Sequence, residues 1–207
     1  MVAKVISGRE VAETILTTDL KNKVIELNKK NINPKLVVIL VGDMKASASY
    51  VAQKEKFAVK AGIQSEVMRF ESSVTESEIL EKIDSINSDK NIHGVIVQLP
   101  LPDHISVAKV LNRIDPSKDV DGFTPTNVGK LFLGEDTLVS CTPKGIMQML
   151  ASTGTDLSGK NVTVVGRSNI VGKPVAILCL QENATVTMCH SRTKDLNAKL
   201  SLSLIHI

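Results

Sequence analysis

Brief apolar runs alternate along this chain with longer amphipathic stretches, and that alternation narrows the possible folds more than any other feature. Leu36-Val-Val-Ile-Leu-Val41, bounded by Lys35 and Gly42, is rich in β-branched side chains and suits a buried parallel strand feeding a loop. Gly94-Val-Ile-Val97 repeats the pattern, and residues 64–70, 161–165 and 184–189 read as further strands. Val11, Ile15, Leu20, Val24 and Leu27 recur at near-helical spacing, which predicts a helix over about 9–30 closed by the polar segment before Pro34. A second helix is expected from near Ser47, with Val51, Ala58 and Ala61 toward the sheet and Gly62 stopping it. Thr75-Glu-Ser-Glu78 has capping-box spacing ahead of Ile79, Leu80, Ile83 and Ile86. Helices are also expected at 107–114, 143–151 and 174–181, and the polar stretch 115–127 reads as a loop. Such alternation implies the α/β class, with two parallel-sheet domains at residues 1–141 and 142–207, the second of Rossmann type.

Composition bears mainly on what the chain does not do. At 43% apolar and 23% charged residues it has the balance of a folded globular protein, which excludes a disordered or collagen-like chain. The net charge of +3 is spread along the sequence, and with no Trp, one Tyr and four Phe there is little to build a nucleic-acid surface. Cys141, Cys179 and Cys189 form no CxxC pair, and His93, His104 and His190 have no metal-ligand spacing with them, so neither a disulfide framework nor a metal site is expected. Charges at Lys4, Arg9 and Glu10 interrupt any export signal, and no apolar run approaches the ~20 residues of a membrane span. The expectation is a cytoplasmic protein that binds neither nucleic acid nor membrane.

Chemistry concentrates in a few segments. The turn Gly166-Arg-Ser-Asn-Ile-Val-Gly172 lies between an expected strand and helix, where backbone N–H groups and the helix dipole can hold a phosphate. It departs from GxGxxG, since Ser168 stands at the middle glycine and Gly172 is one residue late, so a plain tight turn is the alternative. After the next strand comes His190-Ser-Arg-Thr193 in place of the acidic residue of an NAD site; Arg192 with Arg167 favours the 2′-phosphate of NADP, unless both are simply solvated. Tyr50 and Lys54 stand four apart on one helix face beyond the first strand, where α/β sites open. A lysine there can act as general acid or base and a tyrosine can stack on a planar substrate, although an exposed lysine beside a half-buried tyrosine would give the same spacing. Short-chain dehydrogenases share Tyr-x-x-x-Lys, but place it after their glycine-rich turn and not before it. Gln98 ends the third strand, and Asp119 and Asp121 alternate before Gly122, so one of the two carboxylates can face a pocket.

Taken together, Tyr50-Val-Ala-Gln-Lys54, Gln98-Leu-Pro-Leu-Pro102, Pro116-Ser-Lys-Asp-Val-Asp-Gly122, Cys141-Thr-Pro-Lys-Gly145 and Gly166-Arg-Ser-Asn-Ile-Val-Gly-Lys-Pro174 resemble the bifunctional methylenetetrahydrofolate dehydrogenase/methenyltetrahydrofolate cyclohydrolases. The resemblance implies an NADP-linked enzyme of one-carbon metabolism and purine biosynthesis, acting on tetrahydrofolate derivatives in a cleft between two α/β domains, and a homodimer. By position, it implies that Lys54 is the catalytic lysine, that Gln98 positions it, that Tyr50 stacks on the folate and that Asp121 fixes the pterin, with Leu99 and Pro100 also lining the substrate site. Gly166, Arg167, Ser168, Gly172, Ser191 and Arg192 would then contact the cofactor. Neither reaction requires a metal.

Family members continue beyond residue 207, with further strands of the dinucleotide domain, a glycine-rich closing loop and a final helix. The second domain is therefore expected to be an incomplete Rossmann unit, a two-stranded remnant with one helix and one sheet face uncovered. The tail Ser201-Leu-Ser-Leu-Ile-His-Ile207 carries no Asp, Glu, Lys or Arg and is expected to be non-native, although its alternation would permit a short strand. The competing expectation is a non-catalytic, folate-binding fragment.

Overall fold

The computed structural model describes residues 5–201 and 205–206. Helical backbone runs from α1 (Gly8–Thr14) through a π-helical segment (Ile15–Leu20) into α2 (Lys21–Lys29), and β1 (Lys35–Val41) follows. Next come α3 (Lys45–Ala61), β2 (Gln64–Phe70), α4 (Glu76–Ser88), β3 (Gly94–Val97), α5 (Val107–Arg113) and α6 (Pro125–Leu133). The chain then forms α7 (Cys141–Ser152), β4 (Asn161–Val165), α8 (Gly172–Gln181), β5 (Thr185–Cys189), α9 (Leu196–Leu200) and β6 (Ile205–His206). Among the described residues no helix is long and apolar enough to cross a membrane.

Two compact units result. One unit is Ala12–Val120; the other runs from Asp121 onward and includes the described residues before Ala12. Gly8 belongs with the latter, since a Cβ there would lie 3.4 Å from Met149 Sδ on α7.

The Ala12–Val120 unit is built on a parallel sheet ordered β2-β1-β3. Alternation along β1 sends Val37, Ile39 and Val41 into one cluster with Ile79, Ile83 and Ile86 of α4 and Val110 of α5. Val38 and Leu40 face the other way, against Val51 of α3 and Ile96 of β3. Both sheet faces are thus covered, and each fully buried isoleucine of α4 contributes about 1.5–3 kcal/mol of hydrophobic stabilisation. The capping box forms as spaced: Thr75 Oγ1 accepts from Glu78 N–H at 3.3 Å, and Glu78 Oε2 accepts from Thr75 N–H at 2.8 Å. The Thr75 hydroxyl, which also donates to Glu78 Oε2 at 2.7 Å, and then the Thr75 N–H hold the Glu78 carboxyl below its usual value. Gly62 ends α3 in the left-handed conformation at φ 82°.

In the other unit the sheet is ordered β5-β4-β6, all parallel. This corrects the expected two-stranded remnant: Ile205 and His206 of the tail pair with Val162 and Thr163 of β4. Leu202, Ser203 and Leu204, part of the stretch over which the tail's alternation was read, lie outside the described residues, as does residue 207. Val162 and Val164 pack against Val175, Ala176 and Cys179 of α8, with Ile146, Met147 and Leu150 of α7 beside them. Burial pushes the Cys179 thiol up from its ordinary value. On the opposite face Thr163 Oγ1 donates to Lys199 O of α9 at 3.3 Å, so more than one helix meets this sheet. The stretch 115–127 is not loop throughout, because Thr124 caps and Pro125 opens α6, which ends at Gly134 with φ 75°.

Candidate active site

In both sheets the chain leaves the central strand toward one neighbour and later returns to the other side, so each has a topological switch point beside its central strand. Ligands of open α/β sheets bind outside the carboxyl ends of the strands at such points. In the Ala12–Val120 unit the switch lies between β1 and β3, and the elements leaving those two strands carry Lys54 and Gln98.

Lys54 Nζ donates to Gln98 Oε1 at 3.3 Å, and Gln98 Nε2 donates to Leu99 O at 2.8 Å. The second bond fixes the amide so that its oxygen faces the ammonium, which restrains a side chain that four rotatable bonds would otherwise let wander. Gln98 N–H in turn donates to Ile39 O at 2.9 Å, extending the β1–β3 ladder to the residue that holds the lysine. The Leu99–Pro100 peptide that follows is cis. Tyr50, one turn before Lys54 on α3, is 66% exposed, so its ring is open to solvent and not half-buried.

The segment leading to Asp121 is pinned within the same unit. All three N–H donors of the Lys118 ammonium are used, on Ile86 O, Asn87 O and Asp89 O at the end of α4, at 2.7, 2.8 and 2.7 Å. Lys118 O accepts from Val95 N–H, and Asp119, 1% exposed, pairs in parallel register with Val95. Of the two alternating carboxylates, Asp119 is the one turned inward within this unit.

Asp121 opens the other unit. Cys141 Sγ, at the start of α7, lies 3.8 Å from Asp121 Oδ1. Next to it, Gly122 has φ +65°, and a Cβ there would come within 2.6 Å of Leu138 O, so only glycine fits. Past β4, the turn from Gly166 to Gly172 folds back on itself: a Cβ at Gly172 would lie 2.7 Å from Gly166 O. Ser168 Oγ accepts from Val171 N–H and Gly172 N–H at 3.1 and 3.2 Å. Those donors, expected to be available to a phosphate, are satisfied by the turn's own hydroxyl.

A concavity of about 340 Å³ opens at the carboxyl ends of β4 and β5, lined by Val165, Gly166, Arg167, His190, Ser191 and Leu196. It brings Gly166, Arg167 and Ser191 together, as expected, and adds His190, which was not singled out as a cofactor contact; Ser168, Gly172 and Arg192 do not line it. Arg192 enters through its backbone, donating N–H to His190 Nδ1 at 3.1 Å. Gly166 has open space where a Cβ would project, so the cradle's floor is bare backbone flanked by a guanidinium and a hydroxyl, a donor set that fits a phosphorylated ribose.

Comparison with known proteins decides the affiliation. Residues 6–121 match the tetrahydrofolate dehydrogenase/cyclohydrolase catalytic domain and residues 140–206 the NAD(P)-binding domain of the same family. The chain belongs to the tetrahydrofolate dehydrogenase/cyclohydrolase family. The second match runs through the tail expected to be non-native, to residue 206. The bifunctional protein FolD of Bacillus licheniformis is 56% identical over 96% of this chain and 69% of its own length. A crystal structure of the bifunctional FolD enzyme from Campylobacter jejuni superposes with a TM-score of 0.96 at 42% identity, covering 98% of this chain and 72% of that one. The Trypanosoma brucei family enzyme, solved with NADP and an inhibitor, gives 0.93 at 36% identity, over 99% and 71% of the two chains. As a tetrahydrofolate dehydrogenase/cyclohydrolase family member, this chain thus spans about seven-tenths of the length of these relatives and carries an NAD(P)-binding domain.

Proposed function

We propose that this chain oxidises 5,10-methylenetetrahydrofolate to the methenyl form with NADP and hydrolyses the methenyl form to 10-formyltetrahydrofolate. The observation that carries the reading is the Lys54–Gln98 contact at the switch point of the Ala12–Val120 sheet, in a chain of this family. The methenyl carbon is a cation conjugated to two nitrogens and accepts water once a base removes a proton. Lys54 in its neutral form takes that proton, with Gln98 holding Nζ in place. The resulting hydroxyl adduct collapses by breaking the carbon–N5 bond, a proton returns to N5 and the formyl group stays on N10. General-base help of this kind is worth about 10²–10⁴-fold. For the oxidation, NADP supplies the hydride acceptor when bound.

Tyr50 would stack on the folate, Leu99 and Pro100 would contact it and Asp121 would hold the pterin. Gly166, Arg167, Ser168, Gly172, Ser191 and Arg192 are assigned to the dinucleotide. Ser168 and Gly172 act by shaping the turn, and the bare floor at Gly166 beside Arg167 supports a 2′-phosphate there. A cytoplasmic homodimer serving purine biosynthesis, with the folate and dinucleotide domains at 1–141 and 142–207, completes the proposal. To test it, methenyltetrahydrofolate is supplied to the purified 207-residue chain without nicotinamide. Hydrolysis well above the spontaneous rate is expected; the spontaneous rate alone would contradict the assignment and favour a binding fragment.

A further inference from the structure

We infer that Ser140 is a positioning residue that couples the Asp121 carboxylate to the dinucleotide turn, so that occupancy of either site strengthens binding at the other. The inference rests on the functional reading above and concerns residues of one compact unit only. Ser140 is 3% exposed and its hydroxyl donates to Ile170 O, inside the turn, at 2.7 Å. Its own backbone meets the Asp121–Gly122 corner, where a Cβ on Gly122 would lie 2.7 Å from Ser140 N and 2.9 Å from the Val139 carbonyl carbon. The following residue places Cys141 Sγ beside Asp121 Oδ1. Residues 138–141 are therefore in close contact with the Asp121 corner through backbone and with the turn through the Ser140 hydroxyl.

Two properties make this contact able to transmit. The turn moves as a body, because Gly172 is packed against Gly166 and Arg167 backbone and Ser168 ties off the amides of Val171 and Gly172. At Gly122 the approach is backbone against backbone, with no flexible side chain to absorb a displacement. A ligand that settles Asp121 thus settles the 138–141 segment, and through Ser140 the loop that presents Arg167. Linkage makes the effect reciprocal: NADP raises affinity for folate by the factor by which folate raises affinity for NADP.

The test is titration of NADP into the chain with and without saturating tetrahydrofolate, for the parent, Ser140→Ala, Ser140→Cys and Ser140→Thr, with ligand-free melting measured alongside. For the parent, tetrahydrofolate tightens NADP binding. In Ser140→Ala the loss of one hydrogen bond reduces that tightening by about threefold to tenfold, toward none. Ser140→Cys, with a weak donor of similar size, falls between the two, and Ser140→Thr keeps the coupling. If Ser140→Ala does not fold, Ser140→Cys against Ser140→Thr makes the same comparison. Parent-like tightening in the folded Ala or Cys variant would overturn this inference alone. A parent that binds NADP with no tightening would also overturn it, and a parent that binds neither ligand would overturn the functional reading together with it.

Discussion

The two units are built on the same strand order but hold their candidate chemistry by different means. In the Ala12–Val120 unit the central strand is buried on both faces between α3 and α4 with α5, and side chains do the fastening. Thr75 and Ser106 cap helices, Lys118 closes the end of α4, and the ion pairs Lys60–Glu13, Lys109–Glu76 and Arg113–Asp84 tie distant segments. Its candidate site is likewise made of side chains, Lys54 and Gln98, projected from well-packed elements. In the other unit one apolar cluster lies between the sheet and α7 with α8, and the site is a backbone turn shaped by Gly166, Ser168 and Gly172. Proton transfer needs a particular functional group at a fixed point, whereas recognition of a phosphorylated ribose needs space over bare backbone with a guanidinium beside it, as at Gly166 and Arg167. Each unit suits one of these tasks.

The largest expected effect on this comparison is Ile83→Ala, which opens a cavity in the α4 core and should cost about 2–5 kcal/mol. Hydrogen exchange resolved by segment should show the Ala12–Val120 unit opening while amides of β4 keep their protection; parallel loss in both units would merge them into one cooperative block. Gln98→Leu removes the acceptor that restrains Lys54 and should slow methenyltetrahydrofolate hydrolysis by about tenfold, through kcat more than KM, with melting little changed. An unchanged rate would make Gln98 a bystander. Thr75→Ala deletes the cap of α4 and should cost about 1 kcal/mol, visible as a lower Tm; no change would show that side-chain capping does not set this unit's stability.

The smallest effect concerns acid. Hydrogen bonds hold the carboxyls of Glu78, through Thr75, and of Asp84 and Glu76, through Arg113 and Lys109, below their ordinary values, as Ser117 does for Asp115. Because the folded values are the lower ones, this stabilisation is complete above the ordinary carboxylate range near about pH 4 and is lost as pH falls through the folded values. Acid should therefore weaken the Ala12–Val120 unit, and Asp84→Asn should flatten that acid limb slightly in a pH series of melting curves. A limb of unchanged slope would remove the Asp84–Arg113 pair from the account.

What could be seen in the sequence follows the same division. The strands at 36–41 and 94–97, the Thr75–Glu78 box and the stop at Gly62 are local patterns, and each formed where its spacing pointed. Lys54 and Gln98 lie 44 residues apart, yet Gln98 directly follows β3 and Lys54 stands on the helix that leaves the neighbouring β1, so adjacent strands bring their two elements to one edge. α6 was legible in principle, from Thr124 as cap, Pro125 at the first position and Gly134 at the end, but its prolines and polar approach resembled a loop. β6 was only permitted by the tail's alternation: its two residues pair with β4 across a long sequence gap that no local pattern specifies, and the expected remnant was wrong for that reason. Ser140 was missed on the same ground, since its partner Ile170 is 30 residues away and a serine before a helix reads simply as a cap.

The central claim, that Lys54 carries proton transfer while the other unit holds the dinucleotide, is tested most directly by one variant with two readouts. Lys54→Met is purified beside the parent, and both hydrolysis of methenyltetrahydrofolate and the Kd for NADP alone are measured. The account predicts that hydrolysis falls about 10²–10⁴-fold, to near the spontaneous rate, while NADP affinity stays within about twofold of the parent. Hydrolysis persisting at the parent rate, or NADP binding lost along with it, would contradict the account.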